Sequence, residues 1–160
     1  MATFRIVPLS KKYADNIRKK GIDDFGNTVV EQMSTGLGPC RVSLKPFKPG
    51  QDKRLLLSHS PFELRNAYNQ PGPIFISSED VEEYTDVHKF PEEIKREKEH
   101  FSLTLIGYSQ EQWMLHTELV TDNDSVDEQI EHLFDRFPKI EYLHVRSAKA
   151  GCYICKITRA

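Results

Sequence analysis

The spacing of apolar residues changes period several times along the chain, and each change marks an element. FRIVPL (4–9) alternates, with Phe4 and Ile6 on one face, and predicts a strand. Ser10 then suits a helix cap, Tyr13 and Ile17 repeat at i and i+4, and Gly21 stands where a left-handed residue ends a helix. A loop-rich stretch follows, in which GLGPCR (36–41) and KPFKPGQDK (45–53) place proline and glycine at turn positions. RLLLSHSPF (54–62) and GPIFIS (72–77) are short apolar runs bounded by proline and glycine, which predicts two buried strands joined by the polar ELRNAYNQPGP. SSEDVEEY (77–84), with acids in its first turn, predicts a short helix. Phe90-Pro91-Glu92-Glu93 opens another, with Pro91 at its first position and Lys95, Arg96 and Lys98 near its end.

The C-terminal half is more regular. FSLTLIGY (101–108) and WMLHTELV (113–120) alternate on either side of SQEQ and predict an antiparallel hairpin. Ser125 and Glu128 have capping-box spacing, and Val126, Ile130, Leu133, Phe134 and Phe137 line one face of a helix that stops before Pro138. IEYLHVRS (140–147) and CYICKIT (152–158) predict two final strands around Ala148-Lys149-Ala150-Gly151. About six strands and four helices in uneven order predict an α+β fold, a single domain over 1–160 with helices on a largely antiparallel mixed sheet.

Composition narrows the class. A chain of 160 residues can bury a core without crosslinks, and 38% hydrophobic with 29% charged residues is ordinary for a globular protein. No apolar run approaches the roughly 20 residues that span a bilayer, so no membrane association is expected. MATFRIVPLSKK lacks a basic-then-apolar leader layout, and three cysteines, an odd number, fit free thiols in a reducing compartment. The expected location is the cytoplasm. With a net charge of -2 and basic residues dispersed among acids, nucleic acid is not expected as a partner.

Several spelled motifs lack what their chemistry requires. Asp24-Phe25-Gly26 spells a kinase magnesium motif without the lysine strand or catalytic loop. Asp122 and Asp124 begin like a calcium loop, but Val126 and Asp127 occupy the next ligand and glycine positions. Gly36-Leu37-Gly38 has no following Lys-Ser/Thr to hold phosphates. The six histidines are dispersed without metal-site spacing, so neither metal nor cofactor is expected.

HVRSAKAGCYICKI (144–157) concentrates the remaining chemistry. Cys152-Tyr-Ile-Cys155 spells C-x-x-C, yet Tyr153, Ile154 and Ile157 favour a strand, in which residues three apart face opposite sides. The preceding strand puts Tyr142, His144 and Arg146 on one face and Leu143 and Val145 on the other. Register decides which thiol joins the polar row. A four-residue loop pairing Ser147 with Cys152 sets Cys155 opposite His144, whereas a three-residue loop pairing Ser147 with Gly151 sets Cys152 opposite Arg146. An arginine beside a thiol would lower its pKa. The alternative is a surface-facing polar row over a buried, inert cysteine.

TFRIVPL, DDFGN, GPCR (38–41), LLLSHSPF (55–62), GPIFI (72–76) and HVRSAKAGCYI (144–154), in this order over nearly the whole chain, resemble the bacterial domain of unknown function 1203 family. The resemblance implies a bacterial, cytoplasmic, single-domain protein and names no activity. It favours Cys152, because Gly151-Cys152 and His144-x-Arg146 match the family's usual pattern while Cys155 stands where a small residue is usual. It also implies that relatives often carry cysteine, histidine and cysteine where this chain has Ser43, Ser77 and Val81. Those residues with Cys40 would make a four-ligand zinc site, and here Cys40 alone remains.

Two functions are therefore expected in competition. One is a binding module for a small anionic ligand or a protein partner, with Arg146, His144, Arg41 and Tyr153 as contacts. The other is a thiol-dependent enzyme with Cys152 as nucleophile, His144 as base and Arg146 stabilising negative charge. Oligomeric state is left open.

Overall fold

The computed structural model describes residues 3–160. Strand β1 (Phe4–Val7) leads into helix α1 (Lys11–Lys20), whose ends follow the sequence signals. The Ser10 hydroxyl accepts from the Tyr13 amide, and Gly21, at φ 66°, returns its N–H to the Ile17 carbonyl. A side chain at Gly21 would be strained in that left-handed conformation. Then come β2 (Val30–Met33), β3 (Lys53–His59) and β4 (Gly72–Ser77), the short α2 (Glu92–Arg96), β5 (Leu103–Tyr108) and β6 (Met114–Leu119). A 3-10 turn (Asn123–Ser125) precedes α3 (Val126–Arg136), and β7 (Tyr142–Ser147) and β8 (Tyr153–Arg159) close the chain.

The fold is mixed α and β as expected, but the strands form two antiparallel sheets rather than one of about six. The larger has the order β1-β8-β7-β5-β6 and the smaller β2-β3-β4. Each has its own core. Leu103, Leu105, Leu143, Val145 and Ile157 of the large sheet pack against Ile94 of α2 and Val126, Ile130, Leu133 and Phe134 of α3. Leu55, Leu57, Ile74 and Ile76 of the small sheet pack against Ala14 and Ile17 of α1. The turn 41–44 stitches the two together, since Val42 belongs to the second core and Leu44 to the first.

Departures from the sequence reading have local causes. The helix expected over 77–84 does not form. Its backbone is engaged elsewhere: Ser78 N–H donates to Lys53 C=O, Tyr84 N–H to Val42 C=O, and Arg18 donates to the carbonyls of Ser77 and Glu79. Its acids meet α1 instead, where Lys11 pairs with Asp80 and Glu82. Strand β2 gave no signal because VEQM is almost wholly solvated at a sheet edge. Ser125 does not cap α3; Asp122 accepts from the Asp124 amide and starts the 3-10 turn, held there by buried Asn123 donating to Phe101 C=O at 3.0 Å. Pro91 falls just before α2 rather than inside it.

The α3 periodicity is realised in full. Leu133 is buried in the large core and Glu131 is solvated. Leu133→Ala should cost on the order of 2–5 kcal/mol, and Glu131→Ala should fall within about 0.5 kcal/mol of zero. Denaturant unfolding of both variants checks the difference, and equal effects would mean that α3 presents another face.

Candidate functional site

The final hairpin resolves its register with a bulge. Near the turn Ser147 N–H donates to Cys152 C=O at 2.9 Å, as the four-residue loop requires. Further along, Arg146 faces Tyr153 but Val145 faces Cys155, so Ile154 is an extra residue on β8. The bulge lets Ile154 and Cys155 both enter the large core, while Tyr153 stays on the His144 face. The four-residue loop is thus realised at the turn, but the bulge moves Cys155 from its expected place opposite His144. Cys155 lies opposite Val145, fully buried, with its thiol pKa pushed up to about 12 by desolvation. Cys152 stays half-buried at the mouth of the turn, so the C-x-x-C sulfurs are not a working pair.

His144, expected as a ligand contact or as the base of Cys152, is completely buried. Phe62, Tyr108, Tyr142 and Tyr153 enclose it, with ring centroids 4.8–5.1 Å away. Phe62 comes from the 60–71 connector, which Gln112 staples to the β5–β6 turn by accepting from the amides of Glu63 and Leu64. Neither imidazole nitrogen has a hydrogen-bond partner. Burial, reinforced by the charges of Arg146 and Lys156, holds its pKa down to about 3. His144 makes no hydrogen bond to Cys152, so this geometry gives it no role as the base of that thiol.

A second histidine, not singled out in the sequence, takes the position nearer to chemistry. His59, at the end of β3, lines a cleft of about 200 Å³ with Arg146, Cys152, Tyr153 and the prolines 61, 71 and 73. Its Nδ1 lies 3.3 Å from the Tyr13 hydroxyl, which donates to Asp24 at 2.9 Å. Because the phenolic proton goes to the carboxylate, Nδ1 must be the protonated nitrogen, and Nε2 carries the free lone pair. Burial lowers the His59 pKa to about 4, with Asp24 opposing the shift. The one available sequence signal was weak: a histidine at the end of an apolar strand run.

One guanidinium group lines this cleft and a second lies behind its Tyr153 wall. Arg146, half-buried, donates Nη1 to Gly151 C=O at 2.9 Å and lies beside the Tyr108 phenol, where its charge and hydrogen bonding oppose the upward pull of burial on the Tyr108 pKa. Arg41 does not line the cleft but lies behind it, fully buried, donating Nε to Tyr153 C=O at 2.7 Å and Nη1 to Pro39 C=O. Burial lowers its pKa to about 10, so it remains a cation at neutral pH. Among the described residues neither arginine has a carboxylate within ion-pair distance.

Cys40, Ser43, Ser77 and Val81 also converge, lining a separate open cavity of about 370 Å³. Among the described residues no three His, Cys, Asp or Glu side chains are placed to hold a metal ion. No helix among them is long and apolar enough to cross a membrane.

Residues 38–159 match the family described as "Protein of unknown function (DUF1203)", and the chain belongs to that family. No curated protein and no solved structure matches the chain.

The buried His144 and the half-buried His59 set an acid limit. Both are neutral when folded but bind a proton near pH 6.5 when unfolded. Stability is thus complete above about pH 6.5 and is lost as pH falls toward their folded pKa values of about 4 and about 3. Each contributes about 1.4 kcal/mol per pH unit in that window. Unfolding free energies measured between pH 6.5 and 4.5 should show this slope, and His144→Phe should remove about half of it. An unchanged slope in His144→Phe would mean that the imidazole is hydrated in the native state.

Proposed function

We propose that this protein binds a small anion bearing a hydroxyl or amine donor, in the cleft between the two sheets. The observation that carries this reading is the pair of cations without carboxylate partners, Arg146 on the cleft wall and Arg41 behind it. A buried guanidinium bonded only to carbonyls keeps a charge that no carboxylate balances, and an anion at the cleft would complete it. His59 supports the second half of the proposal: its Nε2 offers a neutral acceptor, so the ligand should bring an O–H or N–H to it. The cleft volume of about 200 Å³ corresponds to roughly seven water-sized groups at about 30 Å³ each. That favours a small acid over a peptide or nucleotide.

The half-buried Cys152 lining the same cleft favours a second reading, thiol chemistry with Cys152 as nucleophile and His59 rather than His144 as proton acceptor. The readings share a site and differ in what Arg146 does.

Titration with inorganic phosphate, acetate and glycolate, followed by amide shifts of Gly151, Cys152 and Tyr153, tests binding. Arg146→Gln should weaken the best of these anions at least about tenfold, about 1.4 kcal/mol. If no anion moves those amides, or if Arg146→Gln binds as wild type does, the binding proposal fails. Rapid alkylation of Cys152 in the folded protein, slowed by Arg146→Gln, would favour the thiol reading instead.

A further inference from the structure

Exposed apolar side chains are not evenly spread. Of the ten large ones that face solvent, Leu64, Trp113, Met114, Leu115 and Leu119 lie on β6 or against its turn. That clustering makes β6 the surface to explain. β6 is also the free edge of the large sheet, and an apolar edge strand is a template for pairing with another strand.

The backbone phase of this edge can be read. Val120 N–H donates to Leu103 C=O, so residues 116, 118 and 120 turn their amides and carbonyls toward β5. Thr117 and Leu119 therefore turn theirs outward, and the Leu119 carbonyl is seen there, accepting from the Gln129 side chain at 2.9 Å. A carbonyl retains a second lone pair, so Gln129 leaves this position able to pair.

We infer that β6 pairs antiparallel with β6 of a second copy of this chain, about a two-fold axis at Thr117. The sequence MLHTEL reads as its own partner about that residue. Thr117 opposes Thr117, Leu115 opposes Leu119, and His116 opposes Glu118, so apolar meets apolar and a potential cation meets an acid. The neighbouring registers that keep the same hydrogen-bond phase set Glu118 against Glu118 or His116 against His116, and like groups directly opposite are unfavourable. His116 and Glu118 already lie 2.7 Å apart within one chain, so pairing brings two such pairs together with alternating sign. On the other face Leu119, 60% exposed, reaches across the axis toward the bulged Leu115 of the partner strand, itself 44% exposed. Leu115 is the extra residue where the β5–β6 register shifts between Gly107 and Tyr108, so the regular edge runs from His116 to Leu119, which keeps the paired stretch short and the association weak.

Sedimentation of the full chain over a concentration series reaching about 1 mM, the weak end of the affinity scale, should show the mass rising from one chain to two. Thr117→Lys and Thr117→Glu each place like charges at the axis and should remain monomeric, whereas an equimolar mixture of the two should recover the dimer. Thr117 is solvated, so both variants should keep the wild-type unfolding midpoint. Leu119→Lys should repeat the loss of pairing from a second position. A wild type that stays monomeric, single variants that dimerise normally, or a mixture that fails to pair would each overturn the inference.

Discussion

The whole arrangement depends on one buried arginine. Arg41 holds three parts of the chain at once: its amide donates to Phe75 C=O of β4, its carbonyl accepts from Leu9 after β1, and its side chain donates to Tyr153 C=O of β8. The two sheets have separate apolar cores, so dispersion between their interiors does not fix their relative position. A guanidinium does, because its planar fork must find acceptors in set directions once it is out of water. Its burial is costly, and the carbonyls of Tyr153 and Pro39 offset that cost only in part. In the proposed function, the charge left over is what draws an anion to the neighbouring cleft.

The bulge in β8 links this constraint to the aromatic enclosure of His144. One extra residue allows Ile154 and Cys155 to fill the core while Tyr153 reaches both His144 with its ring and Arg41 with its carbonyl. An imidazole enclosed by four aromatic rings without a hydrogen bond destabilises the fold relative to a phenylalanine in the same place. The arrangement persists beside a cleft, where strain and unsatisfied polar groups concentrate. Tyr153 is the common wall, so any motion that rehydrates His144 also reshapes the site.

Much of this was legible in the sequence. α1 and α3 followed from their apolar spacing, Ser10 and Gly21 marked the ends of α1, and the placement of Tyr142 and His144 opposite Leu143 and Val145 followed from alternation alone. The register of the last hairpin did not, because a bulge adds a residue without altering composition. His59 was not legible as a site residue, since its meaning comes from Tyr13, 46 residues upstream, and from Asp24, which Tyr13 reaches. The acidic run at 77–84 looked helical because a local pattern cannot reveal that Arg18 and Lys53 would claim its backbone. Tertiary partners decided each of these cases.

If Arg41 fixes the two sheets against each other, its fork geometry should matter more than its charge. Hydrogen exchange of Arg41→Lys is the direct measurement, because lysine keeps the cation but cannot reach two carbonyls with one planar group. The account predicts faster exchange at Leu9, Cys40, residue 41 and the strand around Tyr153, with α3 as protected as in wild type. Wild-type protection throughout would contradict it, as would a uniform loss that spared no element.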